Sequence, residues 1–291
     1  MPGQLTRTAI AGQAEWLRQV PGRVGDRRLP DGARVLFTGC GTSFHAALAS
    51  GPAEQALEVV LGDAQAADVL VALSHEGQTT LTHEAVEGFA GETWLITGAA
   101  ASPIAQAVDH VVLATPEIEE SHCHTASYTC AVAAARTLLG DDVTGLPGAV
   151  ERELSAEPLG ASEHERFAVI GAGRDEPTVL EAVLKLREGA HVAVEAHHTE
   201  QLLHGDLAAI DSSVRCFVLE GEGRAAERAA DVRRALGELG CEATLVPTSH
   251  PVVDIVRFQR LTVDLAEARG VDPDLIRWDE EPWDRARRAY A

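Results

Sequence analysis

The stretch TGCGTSFHAALAS, residues 38–50, decides how the rest of the chain is read. It follows a short apolar run, Val35-Leu36-Phe37, and opens a helical pattern. Gly39 and Gly41 permit a tight turn and a close backbone approach. Thr42 and Ser43 put hydroxyls at the helix start, where unpaired N–H groups and the helix dipole favour an anion. Strand, Gly/Ser/Thr turn and helix N-terminus together form a generic cradle for phosphate or polyol oxygens. The same residues also make an ordinary capped turn, so the stretch needs a partner before it points to a ligand.

A second loop supplies one. The run VLVAL at 69–73 reads as a buried strand, and Ser74-His75-Glu76-Gly77-Gln78-Thr79-Thr80 leads into a helical pattern that ends near Phe89. Hydroxyls and a glycine again sit where a strand ends and a helix begins. In an open parallel sheet, loops beyond the carboxyl ends of the strands line the ligand crevice. Gly41, Thr42 and Ser43 of the first loop and Ser74, His75, Glu76, Gly77, Gln78 and Thr79 of the second would then face each other across one small polar ligand.

The wider pattern is α/β. Residues 4–20 read as an amphipathic helix, and 21–32 as a loop rich in Gly, Pro and Arg. Strands are predicted at 35–37, 57–61, 69–73, 93–96 and 110–113, and an Ala-rich helix at 127–139. Alternation of strands and helices predicts a parallel, doubly wound sheet. After a linker at 146–165, the pattern restarts. Strands fall at 167–170, 192–194, 215–219 and 243–246, and helices at 176–188, 224–239 and 252–269. Gly171-Ala172-Gly173-Arg174 echoes the opening loop, as an internal repeat would. The units are therefore an N-terminal helix and loop at 1–32, a first domain at 33–145, the linker, a second domain at 166–270, and a tail at 271–291. Trp278, Trp283 and Tyr290 of the tail are candidates to anchor it.

Composition narrows the function classes. A chain of 291 residues is comfortable as two domains. A formal net charge of −21 argues against nucleic acid as a partner, because a phosphate backbone has to be met by basic surface. Any anionic ligand would need local donors. No apolar run is long enough to span a bilayer, and the first twenty residues are too polar for a secretory leader. Five scattered cysteines without CxxC spacing suit free thiols, so a cytoplasmic protein that meets no membrane is expected. Lys185 is the only lysine, among 24 basic residues.

GCGTS followed about thirty residues later by S-x-x-G-x-T resembles the sugar isomerase (SIS) family, and within it the isomerase half of the glucosamine-6-phosphate synthases. The likeness continues at 180–211, LEAVLKLREGAHVAVEAHHTEQLLHGDLAAID, which is similar to their KLKE helix, acidic stretch and HG pair. It implies two tandem SIS domains, each a parallel doubly wound α/β/α sandwich. It also implies a sugar or sugar phosphate as ligand, no cofactor, aldose–ketose isomerisation or deglycase chemistry, and a homodimer. Such isomerisation needs one base that takes a proton from one carbon and returns it to the next, and an acid/base for ring opening. On the resemblance, Glu188 matches the proton-shuttling base and His204 the ring-opening histidine, which acts at the neighbouring subunit's site.

Four departures stand out. The family's second loop has a phosphate-holding serine where this chain has Glu76, and a carboxylate beside a phosphate costs Coulomb energy. The family's tail carries a lysine, whereas this tail has none, and Arg277 cannot form a Schiff base. Glu119-Glu120-Ser121-His122-Cys123-His124-Thr125 replaces a loop of small residues, Ser/Thr and a lysine. His122 and His124 there are candidate substrate contacts; with Cys123, Glu119 or Glu120 and His197-His198 they also raise a metal site, which the spacing disfavours. Finally, residue 2 is Pro rather than a catalytic cysteine, so glutamine hydrolysis is not expected. The alternative to an enzyme is a non-catalytic sugar-binding or regulatory subunit.

Overall fold

The structure, a computed structural model, describes residues 2–289. Five parallel strands form one sheet in the order β2-β1-β3-β4-β5: β1 (Val35–Gly39), β2 (Ala53–Gln55), β3 (Val69–Leu73), β4 (Glu92–Thr97) and β5 (His110–Leu113). Four more form a second parallel sheet in the order β7-β6-β8-β9: β6 (Arg166–Gly171), β7 (Ala193–His198), β8 (Val214–Leu219) and β9 (Ala243–Val246).

Each sheet is apolar on both faces because helices cover both, and this is why β3 reads as an unbroken apolar run and β6 and β8 as nearly so, interrupted only by Arg166 and Arg215. In the first sheet, Phe37, Val69, Val71 and Leu73 face one way and Leu36, Leu70 and Ala72 the other, in separate apolar clusters. In the second, Phe167, Val169 and Phe217 face one way and Ala168, Ile170 and Val218 the other. The faces that look toward the middle of the molecule share one core. It takes in α1 (Gln4–Val24), α2 (Thr42–Ser50), α6 (Ala126–Leu138), α8 (Glu176–Ala190) and α11 (Pro251–Arg269). Packing of α2 against α8 joins the first loop to the second half of the chain. The remaining helices are α3 (Ala56–Leu61), α4 (Thr80–Gly88), α5 (Pro103–Ala107), α7 (Leu146–Leu154), α9 (Thr199–His204), α10 (Arg224–Glu238) and α12 (Glu281–Arg288).

Two expectations from the sequence are corrected. The run at 57–61 is helix α3, not a strand; the edge strand β2 is the preceding Ala53–Gln55. A five-residue apolar run looks the same in either state. Here Gly62 ends a helix, and Leu57, Val60 and Leu61 remain largely exposed, as no inner strand would allow. The first helix also runs through Pro21 to Val24, because Val20 and Val24 are both buried in the central core.

Buried polar ties fix the termini around that core. Gly3, the N-cap of α1, has no side chain to offer, so Asp274 of the tail caps the helix instead. Its carboxylate accepts from Leu5 N–H at 3.0 Å, Thr6 N–H at 2.8 Å and the Thr6 hydroxyl at 2.7 Å. Gln13 of α1 donates to Gln259 of α11 and accepts from Thr129 of α6. All five cysteines are free. Among the described residues no helix is long and apolar enough to cross a membrane.

Candidate active site

The first sheet reverses its winding between β1 and β3, and the loops that follow these two strands flank a cleft at their carboxyl ends. Gly39 is required there. A Cβ on it would sit 2.9–3.0 Å from the Ser43 backbone and the Leu73 carbonyl, so only glycine lets the two loops approach. Gly77 turns the second loop at φ 65°, with Ser102 Oγ in the space a Cβ would need. Ser74 Oγ lies 3.4 Å from Thr79 Oγ1 across that turn.

The cleft holds about 310 Å³, the low end of the usual range for small-molecule sites. Gly41, Thr42, Ser43, Ser74, His75, Glu76, Gln78, Thr79, His122, His124 and Glu188 all line it. Gly77 shapes the loop without lining the cleft. His204 is not brought to this cleft: it is 74 % exposed at the end of α9 and lies 3.3 Å from Glu200. Three lining residues were not among the site residues expected from the sequence: Cys40 of the first loop, and Ile276 and Trp278 of the tail, Trp278 having been read only as an anchor. Trp278 stacks on His122 with ring centroids 5.3 Å apart, and the Arg287 guanidinium sits 4.0 Å from the centroid of the Trp278 ring. Trp283 lies beneath Arg277, at 4.0 Å; Tyr290 falls outside the described residues.

Beneath the cleft lies a charged network that the sequence only hinted at through the single lysine. Lys185 and Glu181, one turn apart on α8, are each 1 % exposed. The Lys185 ammonium donates to Glu188 Oε2 at 2.7 Å and to Thr42 Oγ1 at 3.1 Å, and lies 3.5 Å from Glu181 Oε1. The Thr42 hydroxyl in turn donates to Glu181 Oε1 at 3.2 Å, and His45 Nδ1 lies 2.7 Å from the second Glu181 oxygen. Burial alone would depress the Lys185 pKa, but the Glu188 and Glu181 charges more than offset it, and the amine stays protonated well beyond neutral pH. Glu188 keeps its carboxylate 26 % exposed, held from below by the ammonium and open to the cleft above.

The third loop is built around a buried acid rather than around small residues. The Glu119 carboxylate accepts from the N–H groups of Thr125, Ala126 and Ser127 and from the Thr125 hydroxyl, at 2.7–3.3 Å, so it fills the N-terminus of α6. The Glu119 N–H donates to His75 Nε2 at 2.9 Å, which puts the His75 ring proton on Nδ1. Burial pushes the His75 pKa down and that of His124 down to about 3, with Lys185 adding to the second shift. Both rings are therefore neutral at pH 7. They meet edge to face at 5.1 Å. No three His, Cys, Asp or Glu side chains among the described residues group so as to hold a metal ion.

A glutamine–fructose-6-phosphate aminotransferase [isomerizing] of Methanothermobacter thermautotrophicus is 27 % identical over 293 aligned positions, covering 83 % of this chain and 50 % of the relative. The chain is similar in sequence to these aminotransferases. It spans about half, or less, of the length of the curated relatives it matches. Among solved structures, the C-terminal domain of glucosamine-fructose-6-phosphate aminotransferase from Francisella tularensis superposes with a TM-score of 0.76 at 18 % identity, covering 93 % of this chain and 98 % of that one. Glucosamine-6-phosphate deaminase from Thermotoga maritima superposes with a TM-score of 0.74 at 21 % identity, covering 94 % and 97 %. The fold is thus that of the phosphosugar isomerase (SIS) domains. No protein-family model matches the chain.

Proposed function

We propose that the cleft binds a sugar or aminosugar derivative and that Glu188 moves a proton between its neighbouring carbons. One observation carries this reading. Glu188 is a partly exposed carboxylate on the wall of a polar cleft, fixed by a buried ammonium at 2.7 Å. An ionised carboxylate held in place and facing a ligand is what a carbon-acid base requires.

In the reaction, an open-chain ketose or aldose lies between the two hydroxyl-bearing loops. Glu188 removes the proton from the carbon beside the carbonyl, and the carbonyl oxygen gains one, giving an enediol. Return of the proton to the adjacent carbon, as the hydroxyl on the carbon that lost it gives up its own proton and becomes the carbonyl, completes an isomerisation. With a nitrogen in place of the second oxygen the intermediate is an enolamine; protonation of its oxygen-bearing carbon gives an imine, which water hydrolyses to the free amine and an aldose, a deglycase reaction. Lys185 is a positioning residue here: its ammonium orients Glu188. Two tandem SIS domains, one per sheet, in a homodimer fit this reading. The exposed His204 is then free to serve ring opening in a second subunit.

The test is an NMR assay of aldose–ketose interconversion with the native chain and Glu188→Gln. The expected result is a loss of roughly 10²–10⁴ in turnover with ligand binding retained. Binding without turnover in the native chain would assign it to the non-catalytic alternative.

A further inference from the structure

We propose that the sugar taken by this cleft is unphosphorylated, and that its terminal hydroxyl reaches into a small annex, apolar but for a few buried hydroxyls, that adjoins the first two loops. This rests on the reading of the cleft as a sugar site. Three observations lead to it, and none involves the catalytic carboxylate alone.

The first is charge. Glu76 and Glu188 are on the walls of the cleft, and no arginine lines it. The one lysine below is already held by Glu181, Glu188 and Thr42. A phosphate dianion would meet two carboxylates and no free cation. The second is the state of the helix ends. The α6 N-terminus, a ready anion site, is filled by the Glu119 carboxylate. The N-termini of α2 and α4 have no side-chain cap, but each offers only a partial positive charge against the full negative charge of Glu76.

The third is the annex. It has room for about one water-sized group, about 20 Å³, and it shares Ser43, Ser74 and His124 with the cleft as walls. Thr115, Ser127 and Tyr128 line it, all at least nine-tenths buried. Their side-chain oxygens have no hydrogen-bond partner. Native proteins rarely leave buried hydroxyls unpaired, so these oxygens point to a polar occupant. A hydroxyl group can donate and accept among neutral hydroxyls and fits the space. A phosphoryl group, with three anionic oxygens, has neither the room nor the countercharge.

The experiment is a calorimetric and thermal-shift comparison on the full chain with D-fructose, D-glucosamine and the 6-phosphate of each. The expected result is at least tenfold tighter binding of an unphosphorylated sugar than of its phosphate. Glu76→Gln should narrow that gap by raising phosphate affinity. Ser127→Ala should weaken the unphosphorylated sugar about fivefold and leave the unfolding midpoint of the free protein unchanged, since it deletes an unpaired hydroxyl. Tighter binding of the phosphates overturns the inference and leaves the sugar-site reading standing. Absence of binding by all four sugars, together with absence of interconversion, overturns both.

Discussion

Lys185→Met removes the cation at the centre of the buried network and keeps the length of the side chain. Glu181, 1 % exposed, then loses the ammonium 3.5 Å away, and Glu188 loses one at 2.7 Å. Breaking a buried pair by deleting one partner leaves an uncompensated charge and costs roughly 3–5 kcal/mol. Thr42 and His45 still donate to Glu181, which places the expected loss near the lower end, about 3 kcal/mol at pH 8. Urea unfolding of the native chain, Lys185→Met, Glu181→Gln and the double variant measures this loss, and the cycle should show coupling above about 1 kcal/mol. A deficit below about 1 kcal/mol at pH 8 would refute the buried ion pair.

Three further outcomes follow from the same geometry. His124 resists protonation in the folded state, with its pKa pushed to about 3 by burial, while the unfolded chain takes a proton near pH 6.5; stability should thus fall by about 2 kcal/mol between pH 7 and pH 5, and His124→Gln should flatten that slope. An equal slope in the variant would contradict the assignment. Asp274→Ala removes the acceptor for three donors at the start of α1 and should lower stability by about 2 kcal/mol in urea unfolding; a change under about 0.5 kcal/mol would mean the tail does not cap the helix. Gly77→Ala puts a Cβ about 2.0 Å from Ser102 Oγ at a φ of 65°, so it should disturb the second loop and weaken sugar binding, and Ser102→Ala should restore part of the loss. Unchanged affinity in Gly77→Ala would remove this loop from the site.

Much of the fold was legible because parallel strands covered on both faces must be apolar throughout. VLVAL at 69–73 and ATLV at 243–246 gave strands with the observed limits, and each loop after β1 and β3 carried its own turn glycine. Residues 57–61 misled because a half-exposed edge helix and an inner strand share the same short apolar composition. The cleft was legible through its loops. Its floor was less so: His45 and Thr42 of α2 lie far in sequence from Glu181 and Lys185 of α8, and only the packing of α2 on α8 brings them together. Trp278 and Ile276 reach the cleft because Asp274 pins the tail to α1 and its carbonyl accepts from His122 N–H at 3.0 Å, a route with no local sequence signal. The Glu119 side chain likewise read as one acid among several, although its burial under the α6 N-terminus sets the whole third loop.

The central claim is that Glu188 carries a proton between solvent-exchangeable and carbon-bound positions of a sugar. The direct measurement is deuterium incorporation into the sugar's C–H positions in D₂O, followed by NMR, with whichever sugar raises the unfolding midpoint of the native chain. The account predicts incorporation at the carbon beside the carbonyl with the native chain and none above background with Glu188→Gln. Incorporation at the same rate in the variant, or its absence from a native chain that binds the sugar, would contradict it.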